Sequence, residues 1–172
     1  MPITYLKGDA TKVQVTGGLR INAHIANNRG GWGSGYVVAL SKRWSEPEAE
    51  YRKWAASGNN FELGQVQMVP VEDEYGRLYV ANMVAQDGFV GPNRPRAVDY
   101  EAVGECLHQL DEWIKSLLFV KNLMWQGRQG VPRVTIHMPR IGAGLGGGTW
   151  SIIEDIICSA IGHHEVFVYD FE

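Results

Sequence analysis

The sequence predicts an α/β fold: three layers, α/β/α, around a central mixed sheet of about six strands, in a single domain spanning residues 1–172. Three observations predict it. Strand-like and helix-like patterns alternate along the chain, which places helices on both faces of a largely parallel or mixed sheet. Two glycine-rich loops each follow a strand pattern and lead into a helix pattern. Finally, 172 residues with 45% hydrophobic and 20% charged side chains suffice to bury one sizeable core.

Residues 3–6 form a short first strand and residues 20–26 a second, which ends in the polar loop Asn27-Asn28-Arg29-Gly30-Gly31-Trp32-Gly33-Ser34-Gly35. A helical pattern covers 36–44. The stretch Ser45-Glu46-Pro47-Glu48 reads as a capping box with proline in the first turn, opening a second helix that Gly58 stops. Residues 65–71 and 78–85 alternate as a strand pair joined by a charged turn. Asp99 caps a long helix whose inner face carries Val103, Cys106, Leu107, Leu110, Ile114 and Leu117, and residues 118–133 have no clear pattern. Val134–Met138 is a strand. Ile152, Ile153, Ile156, Ile157, Ala160 and Ile161 then recur at helical spacing, with Thr149 or Ser151 as N-cap and Gly162 as stop. Residues 165–171 form a last strand near a sheet edge.

Composition excludes several classes. A net charge of −3 offers no general attraction to nucleic acid or to an anionic membrane. No apolar run approaches the length of a membrane span, and the N-terminus lacks a signal-peptide core, so a cytoplasmic location is expected. Cys106 and Cys158 lie in apolar helical patterns and read as core residues. His24, His108, His137, His163 and His164 show no metal-ligand spacing, so neither a metal nor another cofactor is expected. The chain is expected to be monomeric.

The chemistry concentrates in the two loops. Gly142, Gly144, Gly146, Gly147 and Gly148 lie between a strand and a helix start, where bare backbone N–H groups and a helix dipole converge on an anion. Ligands of open α/β sheets sit at the carboxyl ends of strands, so both loops should line one cleft, suited to a diphosphate. Gly142, Gly144 and Gly147 also match a dinucleotide fingerprint, but too little chain follows them for the rest of such a domain, and no Lys-Ser or Lys-Thr completes a P-loop.

Taken together, ITYLKGDATK, HIANNRGGWGSGYVVALSKRW, HMPRIGAGLGGGTW and VFVYDFE resemble the macrodomain family, modules that bind ADP-ribose and its derivatives, over nearly the whole chain. The resemblance is nearest to the branch of ADP-ribose 1''-phosphate phosphatases and the terminal ADP-ribose glycohydrolase. It implies that Asp9 accepts from the adenine amino group, with the Ala10 N–H beside it. It implies that Asn27 holds the distal ribose and that Gly31, Trp32, Gly33, Ser34 and Gly35 wrap the diphosphate and that ribose. Ile141, Gly142, Ala143, Gly144, Leu145 and Gly146 would close over the phosphates from the other side. Trp32, flanked by glycines, is expected to be exposed at the cleft.

The sequence departs from the hydrolytic relatives where they carry their acids. The MacroD-like loop aspartate falls on Val37, and the terminal glycohydrolase's lysine and aspartate fall on Ala85 or Gln86 and on Gly146. Both glycohydrolase mechanisms therefore lose their acid or base. His24 matches a histidine implicated in the phosphatase-type members and would act as general acid/base or nucleophile; a histidine hydrogen-bonded beneath the loop is the plainer alternative. His137 is a weaker candidate, and Asp87 could supply a carboxylate from the opposite rim, although Asp-Gly is also a turn signal. The expectation is an ADP-ribose-binding protein that dephosphorylates ADP-ribose 1''-phosphate, with a non-catalytic reader or an ADP-ribosyl hydrolase as alternatives.

Overall fold

The computed structural model of the chain describes residues 2–125 and 132–171. In chain order the elements are β1 (Thr4–Lys7), β2 (Leu19–Asn27), α1 (Tyr36–Arg43), α2 (Glu46–Ser57), β3 (Val66–Asp73), β4 (Gly76–Gln86), α3 (Tyr100–Trp125), β5 (Val134–Met138), α4 (Trp150–Ile161) and β6 (Glu165–Asp170). The strands form one six-stranded mixed sheet in the order β1-β6-β5-β2-β4-β3. Only the β3–β4 pair, joined by a tight turn, is antiparallel. The carboxyl ends of β2, β4 and β5 consequently share one edge of the sheet.

Two cores explain the apolar runs. Ala81, Met83 and Ala85 of β4 face a core with Ile21 and Ala23 of β2, the inner faces of α3 and α4, and Ile136. Leu78 and Val80 join Ala26, Trp32, Val37, Leu40 and Tyr51 in a second core under α1 and α2. A parallel strand buried on both faces can read as nearly continuous apolar sequence, as in β4 from Leu78 to Ala85, broken only by Asn82, whereas β2 alternates its apolar residues with the buried Arg20, Asn22 and His24. Asp99 does cap α3, accepting from the Ala102 N–H at 3.0 Å, and Gly58 ends α2 at φ 68°. Helix α3 runs into the patternless stretch as far as Trp125; residues 126–131 of that stretch lie outside the described residues.

The last strand, β6, lies near the sheet edge as expected, one strand in, with β1 paired along its outer side. Two expectations need correction. The Ser45–Glu48 capping box does not form: Glu48 instead accepts from Ser41 and from Arg52, and Ser45 makes no capping bond. Cys106 is buried as expected, but Cys158 is exposed on the outer side of α4, whose apolar pattern is wider than the face it buries. Beneath the sheet edge far from the cleft, Arg20 and Asp73 form a buried bidentate pair at 2.6 and 2.9 Å, and Arg20 also donates to the Gly76 carbonyl.

Candidate functional site

The segments that leave β2, β4 and β5 at their shared edge build one continuous cleft. Its larger compartment, about 950 Å³, is lined by Asn27, Gly31, Trp32, Gly33, Arg52, Phe89, Val90, Pro95 and Gly147, among others. The smaller, about 390 Å³, is lined by His24, Gly35, Tyr36, Arg140, Ile141, Gly142 and Gly146, among others. Ile25, Ser34, Val37, Gln86, Gly144 and Leu145 line both. The two glycine loops thus face each other, and Leu145 comes so near Gly35 that a Cβ there would sit 3.1 Å from its methyl. Among the described residues neither lining contains a carboxylate, whereas Arg52 and Arg140 are both present. The first loop runs straight into α1, whose first turn carries no acidic residue to offset the dipole.

Local hydrogen bonding fixes both walls. Asn27 shapes the first loop: its Oδ1 accepts from the Arg29 N–H at 2.9 Å and the Gly31 N–H at 3.0 Å, and its Nδ2 donates to the Gly31 carbonyl. Tyr51 donates from below to the Asn27 carbonyl at 2.6 Å. The second loop is strapped to the β4–α3 connection, where the Gly146 carbonyl accepts from the N–H groups of Ala97 and Val98. At Gly147, φ is +72° and a Cβ would lie 2.0 Å from the Pro95 oxygen, so only glycine fits.

Other candidate residues fall elsewhere. Asp9 Oδ1 is engaged by the N–H and hydroxyl of Thr11, and the Ala10 carbonyl accepts from Asn22, which also receives the Tyr36 hydroxyl. These contacts put residues 9 and 10 behind the smaller compartment, beyond Tyr36. Ala143 packs against the core under α3 and α4. Trp32 is a correction: it is 6% exposed, donates to Ser41, and packs against Tyr51, plugging the second core with only an edge on the cleft. Asp87 lines a separate depression with Arg94 and Arg96, where its carboxylate accepts from Asn28 and Arg94. Gln86, Phe89, Val90 and Arg52 are lining residues that motif reasoning missed; their only sequence signal is their position at the end of β4, just after it, or on α2.

His24 forms part of the floor. Asn82 uses its Nδ2 on the Pro47 carbonyl and on Gln67, so its Oδ1 accepts and His24 Nε2 must donate. The lone pair then lies on Nδ1, which is buried and meets no hydrogen-bond partner among the described residues. Burial pushes this imidazole down to about 4. His137 is also driven down, to about 3, by burial and by the nearby Arg20 and Arg133. Its ring nitrogens are taken by Tyr169 and Thr135, and it stacks on Phe167, so it is a packing residue of β5.

These two neutral histidines make the fold acid-labile. An unfolded histidine takes up a proton below about 6.5 and the folded ones do not, so stability is full above that pH. It falls as pH drops toward 4, by roughly a kcal/mol per pH unit for each ring. Thermal melts should therefore show a clearly lower midpoint at pH 5 than at pH 7.5; equal midpoints would contradict neutral burial of the pair.

Comparison with known proteins agrees with this architecture. No family model matches the chain. A curated relative from Danio rerio, chromodomain-helicase-DNA-binding protein 1-like, is 30% identical over 170 residues, 96% of this chain; the chain spans only 15% of that protein's length. An ADP-ribose 1''-phosphate phosphatase from Debaryomyces hansenii is 29% identical over 168 residues, covering 90% of this chain and 92% of the relative. A solved macrodomain protein from Streptomyces coelicolor superposes with a TM-score of 0.72 at 38% identity, over 98% of both chains. With this sequence identity, the matching fold and the paired glycine loops at the strand tips, the chain belongs to the macrodomain family.

Proposed function

We propose that the cleft binds ADP-ribose or a close derivative, with the diphosphate between the two glycine loops. The observation that carries this is the lining itself: two loops of bare backbone facing each other, two arginines and, among the described residues, no carboxylate. Backbone N–H groups and the α1 terminus favour an anion there, and a long two-part cleft suits a nucleotide joined to a second sugar. Asp9 and Ala10, behind the smaller compartment, would meet the adenine, while Asn27 and Phe89 would flank the distal ribose in the larger one. Calorimetric titration with ADP-ribose, with AMP as control, tests this; tighter binding of ADP-ribose supports it, and equal or absent binding refutes it.

A second reading, dephosphorylation of ADP-ribose 1''-phosphate, is favoured by one observation. His24 lines the smaller compartment and carries a buried Nδ1 that stays unprotonated at neutral pH, and once a substrate phosphate reaches it this nitrogen would act as base or nucleophile. The similarity to a phosphatase of that name points the same way. Asp87, turned into its own depression, takes no part in this version. The protein should release inorganic phosphate from ADP-ribose 1''-phosphate. His24→Ala and His24→Gln should each slow release by about 100-fold or more with ADP-ribose binding retained. Binding without phosphate release would leave a non-catalytic module.

A further inference from the structure

We propose that Asp111, His163 and His164 form a binding site for a zinc-class divalent cation, at the opposite edge of the sheet from the cleft. The donors come from α3 and from the turn between α4 and β6, 52 residues apart in sequence, which is why no local spacing announces them. Both histidines aim Nε2 at the same carboxylate oxygen, Asp111 Oδ1, at 2.9 and 2.8 Å, and their ring centroids are 4.2 Å apart. All three ligand atoms lie within 4.8 Å of one another.

The Asp111 side chain is only 5% exposed. Lys115, on the same face of α3, holds the other oxygen, Oδ2, at 2.9 Å and is itself 3.7 Å from Glu112. That ammonium orients the carboxylate so that Oδ1 faces the histidines. Two imidazoles and one carboxylate suit zinc rather than calcium or magnesium, which prefer all-oxygen sets. Zinc bonds of about 2.0–2.1 Å in a tetrahedron set ligand atoms about 3.3 Å apart. The present hydrogen bonds would open by about half an ångström while the two histidine ligand atoms, within 4.8 Å of each other, close toward that spacing, and His163, 53% exposed, has room to swing. On coordination each imidazole carries its proton on Nδ1 rather than Nε2, freeing the Nε2 lone pair, and water completes the fourth position on the exposed His163 side. The cation would staple α3 to the α4–β6 turn.

The test is titration of the full chain with zinc chloride at pH 7.5, by calorimetry and by competition with a chromophoric chelator. Cobalt(II) is a second probe, because tetrahedral coordination gives it intense visible absorption. One zinc per chain should bind and raise the melting temperature. His163→Gln and His164→Gln should each weaken binding by at least the tenfold that loss of a mere supporting group causes. His108→Gln, an exposed change on α3 outside the cluster, should leave affinity unchanged. His163→Gln is itself an exposed change, so a folding defect does not obscure the result. Absence of zinc uptake by the unaltered protein, undiminished affinity in His163→Gln, or lost affinity in His108→Gln would overturn the site.

Discussion

Gly144→Val is expected to reduce ADP-ribose affinity by at least about 100-fold, near 3 kcal/mol, while leaving the fold intact. Gly144 lines both compartments of the cleft, and a Cβ added there meets no atom within 4 Å, so the substitution brings no clash at that carbon and places bulk on the wall proposed to hold the phosphates. Its backbone is not in the left-handed region, so a β-branched residue brings no strain. Stability should change by no more than about 0.5 kcal/mol, as for an ordinary surface change. Unchanged affinity in a normally folded Gly144→Val protein would move the ligand elsewhere. Gly147→Ala makes a useful contrast: its collision with the Pro95 carbonyl should unfasten the second loop and cost stability as well as binding.

The largest effect on stability should come from Asp73→Ala. Removing that carboxylate strands the Arg20 guanidinium, 1% exposed, in the interior with only carbonyl partners. Leaving one buried charge unpaired costs about 3–5 kcal/mol, which for a chain of this size lowers the melting midpoint by roughly 10 °C. The apolar double change Arg20→Met with Asp73→Leu should be far milder than either single change, because the penalty is the orphaned charge rather than the lost attraction. A loss below about 1 kcal/mol in Asp73→Ala would show that water reaches the pair.

Element order and the two loops were legible because their signals are local. The buried strand β4 leaves an apolar run, and glycines mark the turns that follow β2 and β5. The failures come from side-chain partners that a local pattern does not reveal and from an apolar pattern wider than the face it buries. Glu48 had the right spacing for a capping box, but Ser41 and Arg52 claim its carboxylate. Trp32, set among glycines, is drawn under α1 by Ser41 and Tyr51. Cys158 sits in an apolar helix pattern whose buried stripe, Ile153, Ile157 and Ile161, is narrower than the pattern. The cleft's floor and far wall were less legible still. Gln86 and Phe89 carry no motif, and the bare nitrogen of His24 follows from the amide orientation of Asn82 on a neighbouring strand.

The most direct measurement is a calorimetric titration of the unaltered protein with ADP-ribose, paired with the same titration of Gly144→Val. Saturable heat with one ligand per chain, lost in the variant, is the result that two glycine loops around a shared diphosphate require. No heat from the unaltered protein, or equal heat from both, would contradict that arrangement.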